Sequence, residues 1–467
     1  MNYKEDPVFQ TVQWLRGHTA GAPTFEDAFA AAWRDWAGEA PKDVRVSLGS
    51  ASYEPFERVR IRVEATVVPG HGKAEARHLN LLVHAYADRK TAEAEFANGR
   101  NNPALRGDGP PVFFLSSRRM VIWTLPNAPR LDALDGVLNP RLFQSLLPSE
   151  RAFAEAKANC DAPVLQRYSP SESALLTWDR NPDGERFYVK VVADTAKAAA
   201  TTLNLRELHA RGEHGEFGFS VPRLVRYSPE QQTLIISEVP GRPFAEIVRE
   251  TRTAPFQAYG KALAELHGIP TAPLSNWSVD RELTALRQHM RAVRRALPNL
   301  NKRLDVVLGE LERRARALPS TPPTSIHGNL WGDQLLYNEE AGTREVGILD
   351  FCDWCFGDPH FDLGRVIAHA IHAAETERLP KPALDACIAA FIAGYEETSG
   401  RRLHLAWLEW HIAVALLLRA KIHTLQQIGE SWTEHLDFTV SKAEHFLWER
   451  PSMPAQRNIA SIRENVA

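Results

Sequence analysis

Two stretches carry the side chains best suited to chemistry, SIHGNLWGDQLLY (residues 325–337) and VGILDFCDWCFGDPHFDLG (residues 346–364). In the second, the apolar run Val346 to Leu349 ends in Asp350. That order places a carboxylate at the mouth of a buried strand, where a hard cation is bound by oxygen. Gln334, sixteen residues upstream, has a carbonyl oxygen that the same cation would accept. Magnesium takes few protein oxygens and completes its shell with water and phosphate, so one aspartate, one amide and a nucleotide suffice. Taken alone, an aspartate after a strand serves equally well as a turn or helix cap.

Such groups need elements to hold them. ALLTWDRNPDGERFYVKVVAD (174–194) alternates around a Pro-Asp-Gly turn and reads as a β-hairpin, with a helix from about Thr195 to Ala210. VPRLVRYSP (221–229) and TLIISEVPG (233–241) read as two further strands, and from Phe256 onward the pattern is helical. Turn-rich joints fall at 98–111, 181–184 and 318–325. A mixed part followed by a mostly helical part is an α+β plan with segregated layers.

An internal match extends this plan. LLVHAYADRKTAEA (81–94) aligns without a gap on FYVKVVADTAKAAA (187–200), and RMVIWTLPNAPRLDAL (119–134) resembles QTLIISEVPGRPFAEI (232–247). The pairing suggests a duplicated β-rich unit in which His84 stands where the second copy has Lys190. Two unrelated segments with a generic β-β-α pattern would give the same short matches.

At 467 residues the chain is long enough for two to four domains of about 100–200 residues each. Its 44% hydrophobic and 24% charged residues are those of a globular protein, and a formal net charge of −3 gives no attraction to nucleic acid or anionic lipid. The start, MNYKEDPVFQ, lacks the order of a signal peptide, and the longest apolar run, Ile412 to Leu418, is far short of a membrane span, so a cytoplasmic location is expected. Cys352 and Cys355 form a C-x-x-C, half of a zinc site, but Cys160 and Cys387 stand apart and no second pair completes four ligands. They read as small, partly buried side chains.

HGNLWGDQLLY followed by ILDFCDWCFGDPHFDLG resembles the paired signatures of the aminoglycoside phosphotransferase family, relatives of choline kinase and of the protein kinases. The usual form is H-G-D-x-x-x-x-N, then I-D-F/W, then G-D-P-x-x-D-L, and ALAELHG (262–268) is similar to the helix before the catalytic loop. The resemblance implies a protein-kinase-like two-lobed fold. Residues 1–150 would then be an added α+β cap, a candidate decayed N-lobe, residues 151–245 the β-rich N-lobe with its hinge, and residues 246–467 the helical C-lobe. It further implies that Lys190 holds the nucleotide phosphates with Glu207 as its ion-pair partner, and that Glu238 and Val239 form the hinge against the purine. Gln334 and Asp350 would hold Mg2+, and the cofactor would be ATP or GTP. The N-lobe hairpin RYSPSESALLTW has no glycine, unlike a Gly-rich phosphate loop.

Asn329 falls on the catalytic aspartate of that pattern, and an amide cannot take a proton at neutral pH. Phosphoryl transfer is usually loose, so positioning and metal electrostatics dominate, and general-base help is typically worth about 10²- to 10⁴-fold. Loss of the base would slow such an enzyme and need not abolish it. Asn329 would steer the acceptor, and Asp333 is a second carboxylate in the same loop. Two readings follow: a kinase acting on a hydroxyl of a small metabolite or sugar, or a pseudokinase that binds nucleotide and regulates. His327, Asp358 and Asp362 read as braces of the loop. Among the C-terminal helices, Trp407, Glu409 and Trp410 are candidate lining residues of the acceptor pocket, with helical spacing favouring core for the tryptophans, and His369, His372, His404, His411 and His423 read as core or surface histidines.

Overall fold

The computed structural model of the chain describes residues 3–17, 23–70, 75–101, 108–129, 131, 133–147, 163–169, 172–180, 185–270, 275–317, 321–425 and 432–448. The first part runs α1 (Pro7–Leu15), α2 (Phe25–Ala37), β1 (Asp43–Glu54), β2 (Arg58–Val68), β3 (Arg77–Tyr86), α3 (Arg89–Arg100), β4 (Val112–Leu115), β5 (Met120–Thr124), α4 (Ala133–Leu138) and α5 (Pro140–Leu146). Next come β6 (Val164–Ser169), β7 (Ser173–Arg180), β8 (Glu185–Val192), α6 (Thr195–Glu213), β9 (Leu224–Ser228) and β10 (Thr233–Ser237). The last part holds β11 (Arg242–Pro243), α7 (Phe244–Glu250), α8 (Thr253–Gly268), α9 (Val279–Ala296), α10 (Asn301–Ala317), β12 (Thr324–Ile326), β13 (Leu335–Tyr337), β14 (Val346–Ile348) and β15 (Cys355–Gly357). It closes with α11 (Pro359–Thr376), α12 (Lys381–Ser399), α13 (Leu405–Leu425) and α14 (Trp432–Trp448). This is the α+β, two-lobed architecture that the sequence pattern implies, preceded by a further α+β part.

Two five-stranded antiparallel sheets share one topology, β1-β2-β3-β5-β4 and β6-β7-β8-β10-β9. Their registers agree as well. His84 lies opposite Arg60 and Val121, and Lys190 lies opposite Leu175 and Leu234. Arg119 and Gln232, matched in the alignment, both take the left-handed conformation, at φ 52 and φ 46. Asp88 and Asp194, also matched, both cap the helix that follows with a side-chain oxygen. In the first sheet buried His84 meets Glu95 Oε1 of α3 through its Nδ1 at 3.3 Å, a half-buried pair in the place of a charged lysine. Burial, the largest influence, holds the His84 ring below its ordinary pKa against the opposing pull of Glu95.

The alternation of β2 explains how the first sheet is seated. Val59, Ile61, Val63, Ala65 and Val67 share one face and join the large core formed with α1, α2 and the helical lobe. On the other face Leu82, Val121 and Trp123 pack with α4, α5 and with Leu176, Phe187, Val189 and Ile235 of the second sheet. The second sheet thereby keeps its opposite face, with Lys190, for the cleft between lobes.

In the helical lobe α8 and α12 approach through glycines. A Cβ on Gly260 would meet the Phe391 carbonyl oxygen, and one on Gly394 the Gln257 carbonyl oxygen, both well inside 3.0 Å. Backbone atoms cannot yield as a flexible side chain does. Gly260→Ala is therefore expected to cost about 3 kcal/mol through overpacking, read as a shift of the urea midpoint at unchanged slope. Among the described residues no helix is long and apolar enough to cross a membrane.

Candidate functional site

The loop after β12 is built around one buried carboxylate. Asp362, fully buried in the first turns of α11, accepts hydrogen bonds from the backbone N–H groups of His327 (2.6 Å) and Gly328 (3.2 Å), and from His267 Nε2 of α8 (3.2 Å). Burial raises the pKa of Asp362, but these donors and the nearby histidines outweigh it and leave the carboxyl below its ordinary value. His327 Nε2–H donates to the Leu349 carbonyl at 2.8 Å, which ties the loop to the end of β14. Gly328 has φ +79, and a Cβ there would press on the Asp353 carbonyl oxygen. Loop 327–334 and turn 350–353 are thus in backbone contact. Asp358 caps α11, accepting from the His360 backbone at 2.9 Å, and receives the Trp407 indole N–H, which is the bracing service the sequence suggests.

Asp350 sits just beyond β14 in the left-handed conformation, φ 63 and ψ 56, a strain an aspartate tolerates better than most residues. Its Oδ1 is 2.6 Å from Lys190 Nζ, so a strand residue of the second sheet and a turn of the helical lobe, 160 positions apart, meet in the cleft. Burial is the largest influence on Asp350 and pushes its pKa up. The charge and hydrogen bond of Lys190, with His327 and Lys197 behind them, win, and the carboxyl lies below its ordinary value.

Glu207 is not the partner of Lys190. It lies on the exposed side of α6 and pairs with Arg211 at 2.7 Å. The face that α6 turns to the site carries Lys197, whose ammonium is 3.8 Å from Asp353 Oδ2, and buried Asn204, which donates to the Phe351 carbonyl at 2.7 Å. Burial lowers the pKa of Lys197, but Cys352, Asp353 and Asp350 more than compensate and hold the ammonium above its ordinary value.

Gln334 lies beside Asp350 through the backbone, since Leu349 N–H donates to its main-chain oxygen at 2.9 Å. Its side-chain oxygen, however, accepts from Trp331 N–H at 2.6 Å, so in this conformation it closes its own turn. In the segment expected to form the hinge, Glu238 N–H is spent on the Arg186 carbonyl at 3.1 Å, and Val239 follows, buried. The tip of the β6–β7 hairpin, residues 170 and 171, lies outside the described residues.

Asn329 is held at both ends of its amide. Its Nδ2 donates to Asp353 Oδ2 at 3.3 Å, and its Oδ1 accepts from Arg365 Nη1 at 2.7 Å. Arg365, buried on α11, also reaches Glu282 Oε1 at 3.3 Å and lies over the rings of Phe361 and Trp331. Arg419 of α13 lies over the same Trp331 ring at 5.1 Å, and its burial lowers its pKa to about 9. Asp333 is exposed and 3.7 Å from His369. Cys352 donates its thiol to Asp353 Oδ2 at 3.1 Å, and no group of three or more His, Cys, Asp or Glu among the described residues forms a metal cluster. Trp407 and Trp410 are buried core residues, Glu409 is half-buried, and the side chain of His423 lies outside the described residues. Sequence reasoning passed over Lys197, Asn204, Asp353 and Arg365. Only Asp353 and Arg365 carried a signal, lying inside or next to the second motif.

Residues 163–407, over half of the chain, match the phosphotransferase enzyme family, and the chain belongs to that family. Among solved structures it is similar to a choline/ethanolamine kinase family protein from Mesorhizobium loti, at 15% identity and TM-score 0.43, over 69% of this chain and 98% of that one. It is likewise similar to a choline kinase from Cryptosporidium parvum (11% identity, TM-score 0.44, 65% and 92% covered). An aminoglycoside phosphotransferase from Streptomyces rimosus also matches (17% identity, TM-score 0.37, 57% and 96% covered). No curated protein matches the sequence.

Proposed function

We propose that the chain moves the γ-phosphoryl group of ATP or GTP to a hydroxyl of a small metabolite or sugar. The observation that carries this is the 2.6 Å pair of Lys190 and Asp350, an ammonium and a carboxylate brought together across the cleft from two lobes. Lys190 would neutralise phosphate oxygens, and the backbone of Glu238 and Val239 would face the purine. Magnesium fits at Asp350, whose carboxylate is more than a third exposed, with Gln334 joining only if its amide turns from Trp331 N–H. The ion, once bound, would spread the negative charge of the transferring phosphoryl group.

A nucleotide-binding pseudokinase is the second reading, favoured by the engagement of the Asn329 carbonyl with Arg365. The shared topology, register and caps of the two sheets support reading residues 1–150 as a duplicated N-lobe packed as a cap. The functional test follows ADP or GDP formation from γ-labelled nucleotide with magnesium, in the presence and absence of a pool of hydroxyl-bearing metabolites. Magnesium-dependent turnover that the pool accelerates is the expected result, whereas nucleotide binding without turnover would leave the pseudokinase reading.

A further inference from the structure

We infer that the proton acceptor of this site is Asp353, and that Asn329 is its positioning residue. The inference rests on the phosphoryl-transfer reading above. It starts from the two-ended engagement of Asn329, whose Nδ2 donates to Asp353 and whose Oδ1 accepts from Arg365. An amide donates at one end and accepts at the other, which an ionised carboxylate cannot do. A carboxylate at 329 would keep the Arg365 contact but would set a second negative charge about as close to Asp353 as the amide nitrogen now stands, at 3.3 Å. Like charges at that separation cannot both persist, and one would take up a proton. Positions 329 and 353 together thus have room for one ionised carboxylate, and the chain has it at 353 instead of on the loop.

Position and environment agree with a working base. Gly328, which precedes Asn329, touches the backbone of Asp353, so the carboxylate lies within one side chain's reach of the place the family pattern gives to the base. It is about a third exposed, which leaves a route for the proton to solvent. Its carboxylate accepts from the Cys352 thiol and from Asn329, with Lys197 at 3.8 Å, and from no backbone N–H among the described residues. A carboxylate present only to cap the turn would be bonded to backbone. In the step itself, the acceptor oxygen bonds to the γ-phosphorus while the bond to the β,γ-bridging oxygen breaks. That electron pair leaves with the nucleoside diphosphate, and the hydroxyl proton passes to the Asp353 carboxylate and then to water.

The test uses the full chain with magnesium and γ-labelled ATP, with water as the acceptor, on wild type, Asp353→Asn, Asn329→Asp and the exchange Asn329→Asp with Asp353→Asn. Asp353→Asn is expected to lower kcat for ADP formation about 10²-fold and flatten the acid limb of its pH profile, while KM for ATP stays within about twofold. The exchange, which restores one carboxylate and one amide, is expected to recover turnover to within about tenfold of wild type. Wild-type turnover matched by Asp353→Asn in rate and pH profile overturns the assignment alone, as does an exchange no faster than Asp353→Asn. A wild type that binds Mg–ATP without forming ADP overturns the transfer reading and the assignment with it.

Discussion

With Asp350 replaced by asparagine, nucleotide turnover is expected to fall at least about 10³-fold, equivalent to roughly 4 kcal/mol of barrier. The variant is chosen because asparagine accepts the left-handed backbone of this position, φ 63, whereas alanine would add strain and confuse chemistry with folding. What it removes is the negative charge that meets Lys190 at 2.6 Å and that would hold the divalent ion. Both tasks are electrostatic, and preorganised stabilisation of the charge that develops in a transition state is worth several kcal/mol per group. Stability should hardly change, because the Asp350 side chain is 37% exposed and pairs in that setting contribute about 0–1 kcal/mol. Steady-state ADP formation together with a thermal melt separates the two quantities. A fall in turnover at an unchanged melt is the expected pair of results.

Asp362→Ala is expected to do the reverse, costing about 3–5 kcal/mol of folding stability and the whole activity with it. The carboxylate is fully buried and is the common acceptor for His327 N–H, Gly328 N–H and His267 Nε2, so its removal leaves three donors without this partner, those of His327 and His267 buried. Urea unfolding measures the loss. The same group gives a pH dependence whose sign follows from its lowered pKa. A carboxyl that titrates lower in the folded than in the unfolded chain contributes its full stability above the unfolded value, about 4. That contribution is lost as pH falls through the lower folded value. Unfolding in acid should therefore begin below about pH 4, and the midpoint in urea should be less dependent on pH there in the alanine variant than in wild type.

How far the site was legible depended on whether each residue acts locally or through a distant neighbour. Asp350 could be placed because the apolar run of a strand ends in it, and the braces His327, Asp358 and Asp362 because they match the family pattern. Lys190 could be placed only through the resemblance of its strand to the family pattern, and the period of two then puts it on the face opposite Val189 and Val191. Glu207 could not. The rotation of α6 about its axis is set by which residues it buries, and Ala198, Thr201, Asn204, Leu205 and Leu208 take that face, turning Glu207 to solvent beside Arg211. Gln334 was placed beside Asp350, but nothing in the sequence shows that its carbonyl oxygen closes a turn on Trp331. The role of Asn329 was the hardest to read, since it depends on Asp353 and Arg365, 24 and 36 positions away, whose approach comes from tertiary packing.

The duplicated pattern illustrates the same division. The gapless match gave the correspondence of His84 with Lys190, and the two ladders share that register. The seating of the first sheet, with one face on the helical lobe and the other against the second sheet, depends on long-range burial that strand alternation alone does not specify.

The central claim is that Lys190 and Asp350 together form the binding cleft of a nucleoside triphosphate and its divalent ion. Isothermal titration of Mg–ATP and Mg–GTP into wild type, Lys190→Met and Asp350→Asn tests it most directly. Saturable binding of at least one nucleotide by wild type is expected, weakened at least about tenfold, roughly 1.4 kcal/mol, in each variant. Wild-type protein that takes up neither nucleotide, or variants that bind as tightly as wild type, would contradict it.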